Sequence, residues 1–336
     1  MKGENTKQLY CTHMKSILFS SSYDYYDFLI SDLYSVNDVI VCNSPVKLTL
    51  KQRLMLRFIL ILERYFRRSK IIKKIYYKYL EVFNQIFPSI ESHNFDVVYL
   101  MDNFLFFDDS RFHYWIKSIS KSCKVVSINY NIINSGSNRI KSLYEKFDLN
   151  CSFDLNNCKQ YGFYHFWGIY SKPIYTMNHE NNTLFFLGLD KGRLHVIKSI
   201  YDASIKFGLT TDFIIINDNA DEYSENGFIV QKNRVSYADS ITRLNNAGCV
   251  LEIVTMGQNG LSLRAIEAII FNKKLLTNNK AILSSPYFNP KFMRYFESLE
   301  DIDFDFISSD ITVDYNYKGD FSPIKLLENI ESQLFI

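Results

Sequence analysis

The stretch from Cys249 to Asn279, which reads CVLEIVTMGQNGLSLRAIEAIIFNKKLLTNN, constrains the fold more than any other part of the chain. Cys249 to Val254 is an apolar run of strand length, and Thr255 to Gly260 is a polar turn carrying two glycines. Leu263, Ile266 and Ile270 then recur at helical spacing within Leu261 to Phe271, and a second apolar run follows from Lys274 to Thr277. Strand, glycine turn, helix and strand in that order predict a βαβ unit. In an open α/β sheet, ligands bind where strands end and helices begin, because free backbone N–H groups and the helix dipole face outward there.

The turn and the first helical residues suit an anion. Gly257 and Gly260 let a backbone or a ligand approach without a Cβ in the way. Asn259 or Ser262 is placed to cap the helix, a role a bound phosphate also fills. Arg264 and Glu267 are three residues apart and share a face, so they can simply pair. Glu267 lies about 8–10 Å into the helix at 1.5 Å per residue, a distance that matches a ribose attached to a diphosphate at the helix end. An ordinary buried βαβ unit with an Arg–Glu surface pair satisfies the same local pattern.

The second half repeats the theme. After the polar linker Met177 to Asn182, the segment Thr183 to Gly188 (TLFFLG) reads as a buried strand. The turn from Leu189 to Arg193 opens a helix from Leu194 to Phe207, closed by Gly208. Lys191 and Arg193 in that turn place two cations beside a helix N-terminus, where donors and charge converge on one anion. Strands at Asp212 to Asn217 and Gly227 to Val230 and a helix from Tyr237 to Asn245 continue the alternation. Beyond the opening stretch, the pattern predicts a helix from Lys291 to Leu299, a strand from Phe304 to Ile307 and a closing helix from Pro323 to Leu334.

The first half also alternates, with strands expected at Lys15 to Ser20, Asp38 to Cys42, Phe95 to Met101, Lys124 to Tyr130 and Leu149 to Phe153. Helices are expected at Tyr26 to Leu33, at Arg111 to Lys121, and after Asp154 as cap. His165 and Trp167 read as packed residues among aromatics. Asp102 follows the strand ending at Met101, where a carboxylate can act as general base on an attacking hydroxyl or serve merely as a turn residue. Asp108 and Asp109 suit a helix N-terminus. Between Lys47 and Tyr79 eleven basic residues stand against the single acid Glu63. Arg53, Arg57, Arg64, Arg67 and Arg68 share a helical face beside Leu54, Phe58, Ile61, Leu62 and Tyr65. Such a basic amphipathic helix attracts anionic lipid or a partner, and it also fits a solvated face.

With 336 residues and 47% hydrophobic content, the chain is long enough for two domains. The formal net charge of +2 argues against nucleic-acid binding as a main role. Six cysteines and six histidines show no metal-type spacing, which favours reduced thiols and no metal site. No signal-peptide core and no apolar run of bilayer length stand out, so the expectation is a cytoplasmic protein.

The segments FFLGLDKGR (Phe185 to Arg193), GQNGLSLRAIEA (Gly257 to Ala268) with KKLLTNN (Lys273 to Asn279), and CSFDLNNCKQYG (Cys151 to Gly162) together resemble bacterial glycosyltransferases of the GT-B fold. The nearest likeness is to those of lipopolysaccharide, O-antigen and capsule synthesis. The resemblance covers most of the second half and the end of the first. It implies an α/β protein of two Rossmann-like domains with parallel sheets facing across a cleft. The expected bounds are 1–175 for the acceptor side, 176–310 for the nucleotide-sugar side, and 311–336 for a segment whose helix returns to the first domain.

The resemblance further implies a hexosyltransferase-type reaction that needs no metal or other cofactor. A nucleotide-diphosphate sugar is the donor, and a lipid-linked saccharide is the acceptor. The basic segment Lys51 to Lys78 would hold the protein at the inner face of the cytoplasmic membrane. Lys191 and Arg193 fall on the family's phosphate-contacting positions. Gln258, Asn259, Gly260 and Ser262 fall on its helix-start phosphate site, with Arg264 beside them, and Glu267 falls on its ribose-binding glutamate. Asp102 is the candidate base. Retaining members often carry a further glutamate eight residues before the ribose glutamate; Asn259 stands there, which leaves the stereochemistry open. A nucleotide-sugar epimerase of the same fold and a non-catalytic nucleotide-sugar-binding subunit are the alternatives.

Overall fold

A computed structural model describes residues 15–20, 24–43, 95–101, 122–133, 144–171, 182–255 and 257–335. Asp102, the basic segment from Lys47 to Tyr79, and the expected helix from Arg111 to Lys121 lie outside the described residues. By contacts, the chain divides into one unit of residues 1–22, 33–128 and 135–150, and another of residues 23–32, 129–134 and 151–336.

The first sheet is built from β1 (Ser16–Ser20), β2 (Val39–Asn43), β3 (Val97–Met101), β4 (Lys124–Asn129), β5 (Leu149–Ser152) and β6 (Tyr164–His165), in the order β2-β1-β3-β4-β5-β6. β1 is buried along its whole length and pairs in parallel with both β2 and β3. A short helix α1 (Asp24–Leu29) follows β1. Helix α2 (Leu155–Tyr161) starts where expected: Asp154 Oδ1 accepts the Asn157 N–H at 3.0 Å, and Gly162 ends it at φ 72°.

The second sheet contains β7 (Thr183–Leu189), β8 (Thr210–Ile216), β9 (Tyr223–Glu225), β10 (Phe228–Gln231), β11 (Cys249–Glu252), β12 (Lys274–Thr277) and β13 (Met293–Tyr295). Its order is β13-β12-β11-β7-β8-β10-β9, and its neighbouring strands run parallel except β9 with β10. The strands read as near-continuous apolar runs because helices cover both faces of a parallel sheet. From β7 the chain passes through α3 (Leu194–Lys206) to β8, and α4 (Tyr237–Asn246) then returns it to β11 on the other side of β7. The direction of winding therefore reverses between β7 and β11, and this is the crevice where open α/β sheets bind ligands.

Helix α5 (Leu263–Ile270) links β11 to β12, and residues Ala265 to Ile270 are all buried. Packing around it is close: a Cβ on Gly168 would come within 2.2 Å of Ile266 Cδ1. Each fully buried Ile, Leu or Phe contributes about 1.5–3 kcal/mol relative to exposure. Ile266 and Ile269 on this helix, and Leu251 and Leu276 on the strands it links, are all at 0% exposure and anchor the region.

Two expected elements are corrected. Lys291 to Leu299 is not a helix: Met293–Tyr295 forms edge strand β13 against β12, pairing Leu275 with Met293 and Thr277 with Tyr295. The apolar spacing of this stretch fits either period, and an unoccupied sheet edge beside β12 decides it. Phe304 to Ile307 is not a strand but part of helix α6 (Phe304–Ser308). The Asp303 carboxylate caps the Phe306 N–H at 3.0 Å and supplies the helix start. Strand β9 was not expected, although Asn226-Gly227 between two short runs is a hairpin signal. The closing helix α7 (Pro323–Leu334) has the expected bounds.

Gly227 turns that hairpin at φ 76°, and a Cβ there would lie 2.1 Å from the Thr211 carbonyl oxygen, a backbone atom with little freedom to retreat. Gly227→Ala is therefore expected to lower stability by about 2 kcal/mol or more, from left-handed strain plus overlap. Thermal unfolding checks this, and an unchanged midpoint would contradict the packing described.

Candidate functional site

The crevice between β7 and β11 is lined by two strand-to-helix turns. In the first, Asp190 takes the capping role for α3: its Oδ1 accepts the Leu194 N–H at 2.7 Å, while Oδ2 accepts from Asn217 Nδ2 at 2.7 Å. Lys191 is left-handed at φ 46° and Gly192 at φ 79°, so the chain doubles back before the helix. Arg193 turns inward and donates from Nε to the Asp190 carbonyl at 3.0 Å, from Nη2 to the Leu189 carbonyl and from Nη1 to the Ile253 carbonyl. It thus ties the end of β7 to the segment leaving β11. Lys191 makes no hydrogen bond or ion pair among the described residues. Partial burial, with the Arg193 charge added, holds its ammonium below the ordinary lysine range.

In the second turn, Gly257 is left-handed at φ 91° and Ser262 caps α5, its hydroxyl accepting the Ala265 N–H at 3.3 Å. Asn259 faces α2 instead of the crevice. Its N–H donates to Asp154 Oδ2 at 2.7 Å, its Nδ2 donates to Asn156 Oδ1 at 2.9 Å, and its carbonyl accepts the Leu155 N–H at 2.7 Å. Gly260 is a packing position, since a Cβ would lie 2.3 Å from the Phe153 carbonyl oxygen. Its own carbonyl accepts from Asn279 Nδ2 at 3.0 Å.

Beneath this turn sits Glu252, only 2% exposed. It accepts from the Thr277 hydroxyl and from Asn279 Nδ2 at 3.3 Å. Burial raises its carboxyl above the ordinary range, against the opposing effect of hydrogen bonds from Ser262, Thr277 and Asn279. Glu252 therefore supports the start of α5 from below, a role its place within an apolar strand did not disclose.

Arg264 and Glu267 do pair, but in the interior. Glu267 is 0% exposed; its Oε2 accepts from Arg264 Nη1 and its Oε1 from the Tyr237 hydroxyl. Breaking a buried pair on one side strands a charge and costs about 3–5 kcal/mol, far more than the surface pair the spacing suggested. Arg264 also donates to Ser240 Oγ at 2.8 Å and to the Leu187 carbonyl at 3.2 Å.

Three hollows border these groups. One of about 190 Å³ is lined by Lys191, Arg193, Glu252, Gln258, Ser262 and Arg264. A second, of about 490 Å³, lies beside the ends of β7 and β8, against Gly188, Ile216, Arg234, Ser236, Tyr237 and Arg264. The third, about 570 Å³, is bordered by Tyr130, Phe153, Lys191, Gly257, Gln258 and Ser262. The structure thus brings Lys191, Arg193, Gln258, Ser262 and Arg264 together, whereas Asn259, Gly260 and Glu267 line none of the three. Tyr237, Ser240, Thr277 and Asn279 join the site unannounced by sequence. The signal for Tyr237 and Ser240 was their place in the first turn of a helix entering the same crevice. Among the described residues no group of three or more His, Cys, Asp or Glu is arranged to hold a metal ion, and no helix is long and apolar enough to cross a membrane.

Because its carboxyl titrates above the unfolded value, Glu252 contributes most to stability below the unfolded carboxylate range and loses that contribution as pH rises through its raised folded value. Glu252→Gln is neutral throughout. The unfolding midpoint of the variant is expected to gain on that of the wild type as pH rises from about 4 toward neutrality. Parallel pH profiles in thermal melts would refute the assignment.

No family model matches this sequence, and a search of curated proteins finds no match. Solved structures do match in shape. The catalytic domain of starch synthase IV from Arabidopsis thaliana, bound to ADP and acarbose, superposes with a TM-score of 0.53 at 7% identity, over 97% of this chain and 96% of that one. The glycotransferase of kitacinnamycin gives 0.43 at 11% identity, covering 96% and 99%. UDP-N-acetylglucosamine 2-epimerase from Rickettsia bellii gives 0.49 at 11% identity, covering 96% and 97%. At such identity the likeness is one of fold, and the first superposition together with the two parallel-dominated sheets makes this chain an α/β protein of the two-domain, Rossmann-like GT-B fold.

Proposed function

We propose that this protein is a metal-independent glycosyltransferase that moves a sugar, of hexosyl type, from a nucleoside diphosphate to an acceptor hydroxyl. The observation that carries the reading is Lys191, a cation with no internal partner, bordering the same 190 Å³ hollow as the Ser262-capped start of α5. A diphosphate there meets an ammonium, backbone N–H groups and the positive end of a helix together. The larger hollow beside β7 and β8 suits the nucleoside, and the aromatic-edged one beside Gly257 suits the sugar.

In the reaction, an acceptor oxygen attacks the anomeric carbon and the bond from that carbon to the diphosphate oxygen breaks, its electron pair leaving with the diphosphate. Lys191 and the helix start offset the charge that builds on the leaving group. The hydroxyl proton passes to a base, for which Asp102 stands as the candidate. The lipid-linked saccharide acceptor, a role in lipopolysaccharide, O-antigen or capsule synthesis, and attachment to the inner face of the cytoplasmic membrane rest on the family resemblance and on the cationic excess of Lys51 to Lys78.

The test is a calorimetric screen of nucleoside diphosphates and nucleotide sugars. Arg193 holds three carbonyls, so its replacement would disturb the crevice itself; Lys191→Met is the cleaner probe. It is expected to weaken diphosphate binding about tenfold or more, as loss of a charge-assisted bond does. Unchanged affinity would sink the site. In the wild type, affinity is expected to fall on the alkaline side before the ordinary lysine range is reached, because the Lys191 ammonium gives up its proton early. That limb should vanish in the variant. Conversion of a free nucleotide sugar to its epimer with no acceptor present would favour the epimerase instead.

A further inference from the structure

The nucleotide reading inherits from family resemblance the idea that Glu267 accepts the ribose hydroxyls. The geometry does not place it to do so. Both carboxylate oxygens are occupied, one by the Tyr237 hydroxyl and one by Arg264, and the residue has no exposed surface. It borders none of the three hollows.

Arg264 is the reverse case. Three of its five N–H groups are spent on fixed partners: Nε on the Leu187 carbonyl, one Nη1 hydrogen on Glu267 and one Nη2 hydrogen on Ser240 Oγ. Its guanidinium lies over the Phe185 ring, 5.5 Å from the centroid. Those anchors come from β7, α4 and α5, and they leave the side chain one orientation. Two N–H groups, one on each terminal nitrogen, have no partner among the described residues, and the side chain keeps 17% of its surface exposed. Arg264 borders both the 190 Å³ hollow with Lys191 and the 490 Å³ hollow with Tyr237. It therefore stands at the junction of the two, where the nucleoside end of a diphosphate would pass.

Resting on the nucleotide reading, we propose that Arg264 contacts the phosphate next to the nucleoside, and that Glu267 is a positioning residue behind it with no ligand contact of its own. A planar guanidinium held on three sides presents its remaining donors without losing further freedom on binding, which is what recognition of phosphate oxygens favours.

The experiment is calorimetric titration of the full chain with UDP, ADP, GDP and CDP and their 2′-deoxy counterparts, for the wild type, Arg264→Ala, Glu267→Gln and the double variant. Arg264→Ala is expected to weaken diphosphate binding about tenfold or more. Glu267→Gln should weaken it less and leave the ratio of ribose to deoxyribose affinity unchanged. The double variant should bind within about twofold of Arg264→Ala alone, because Glu267 acts only through Arg264. The proposal is overturned if Glu267→Gln removes the preference for ribose, or if the two losses add in full.

If Glu267→Gln alone fails to fold, Arg264→Ala and the double variant decide by themselves. Full diphosphate affinity in Arg264→Ala overturns this inference while leaving the nucleotide reading in place. A wild-type protein that binds none of the eight ligands overturns both.

Discussion

Past its short backbone ladder, the junction of β7 and β11 is spanned by one side chain, Arg193. The two strands register only at Leu184 with Cys249 and Phe185 with Val250, whereas β7 and β8 register over all seven residues of each strand. Beyond that short ladder the carbonyls of Leu189 and Ile253 are gathered by the Arg193 guanidinium. A cation whose donors are fixed in a fork can join two chain ends that have parted, which a further backbone hydrogen bond cannot. The smallest of the three hollows lies where that ladder lapses, so the gap and the residue that spans it belong to one arrangement.

Most of the architecture was legible in the residues, for a reason visible in β7 and β8. Strands covered by helices on both faces are written as near-continuous apolar runs, and the turn after β7 is marked by Lys191, Gly192 and Arg193. The same logic failed at the sheet margin. Met293 to Tyr295 lies on an edge, where a neighbouring strand and not an internal period sets the conformation. Phe304 to Ser308 became helical through one carboxylate, Asp303, that the apolar pattern outweighed in the reading. Local periodicity carries no information about what waits alongside a segment.

The site divides along the same line. Lys191, Gln258 and Ser262 announce themselves because a cation, a polar turn and a cap at the mouth of a helix have few other uses. Glu252, Thr277 and Asn279 were invisible, since each sits in or beside an apolar strand and acquires meaning only when β11 and β12 lie side by side. Asn259 reads equally well as a cap or a ligand donor. What fixes it is Asp154, more than a hundred residues earlier in the chain, which takes its N–H and starts α2 with the other oxygen. The i, i+3 spacing of Arg264 and Glu267 foretold their pairing but not their depth, because depth depends on Tyr237 closing over them from α4.

Helix α5 is enclosed along almost its full length, with Ala265 to Ile270 all buried and its first residues held from below by the Glu252 network. A rod wedged in this way has no room to slide or tilt. Any fitting of the crevice to guests of different size must therefore fall to the rim, to residues such as Arg234 and Lys191 that border the hollows on long side chains. A change of preferred guest in this lineage would be sought at those outer positions, with the inner scaffold carried forward intact.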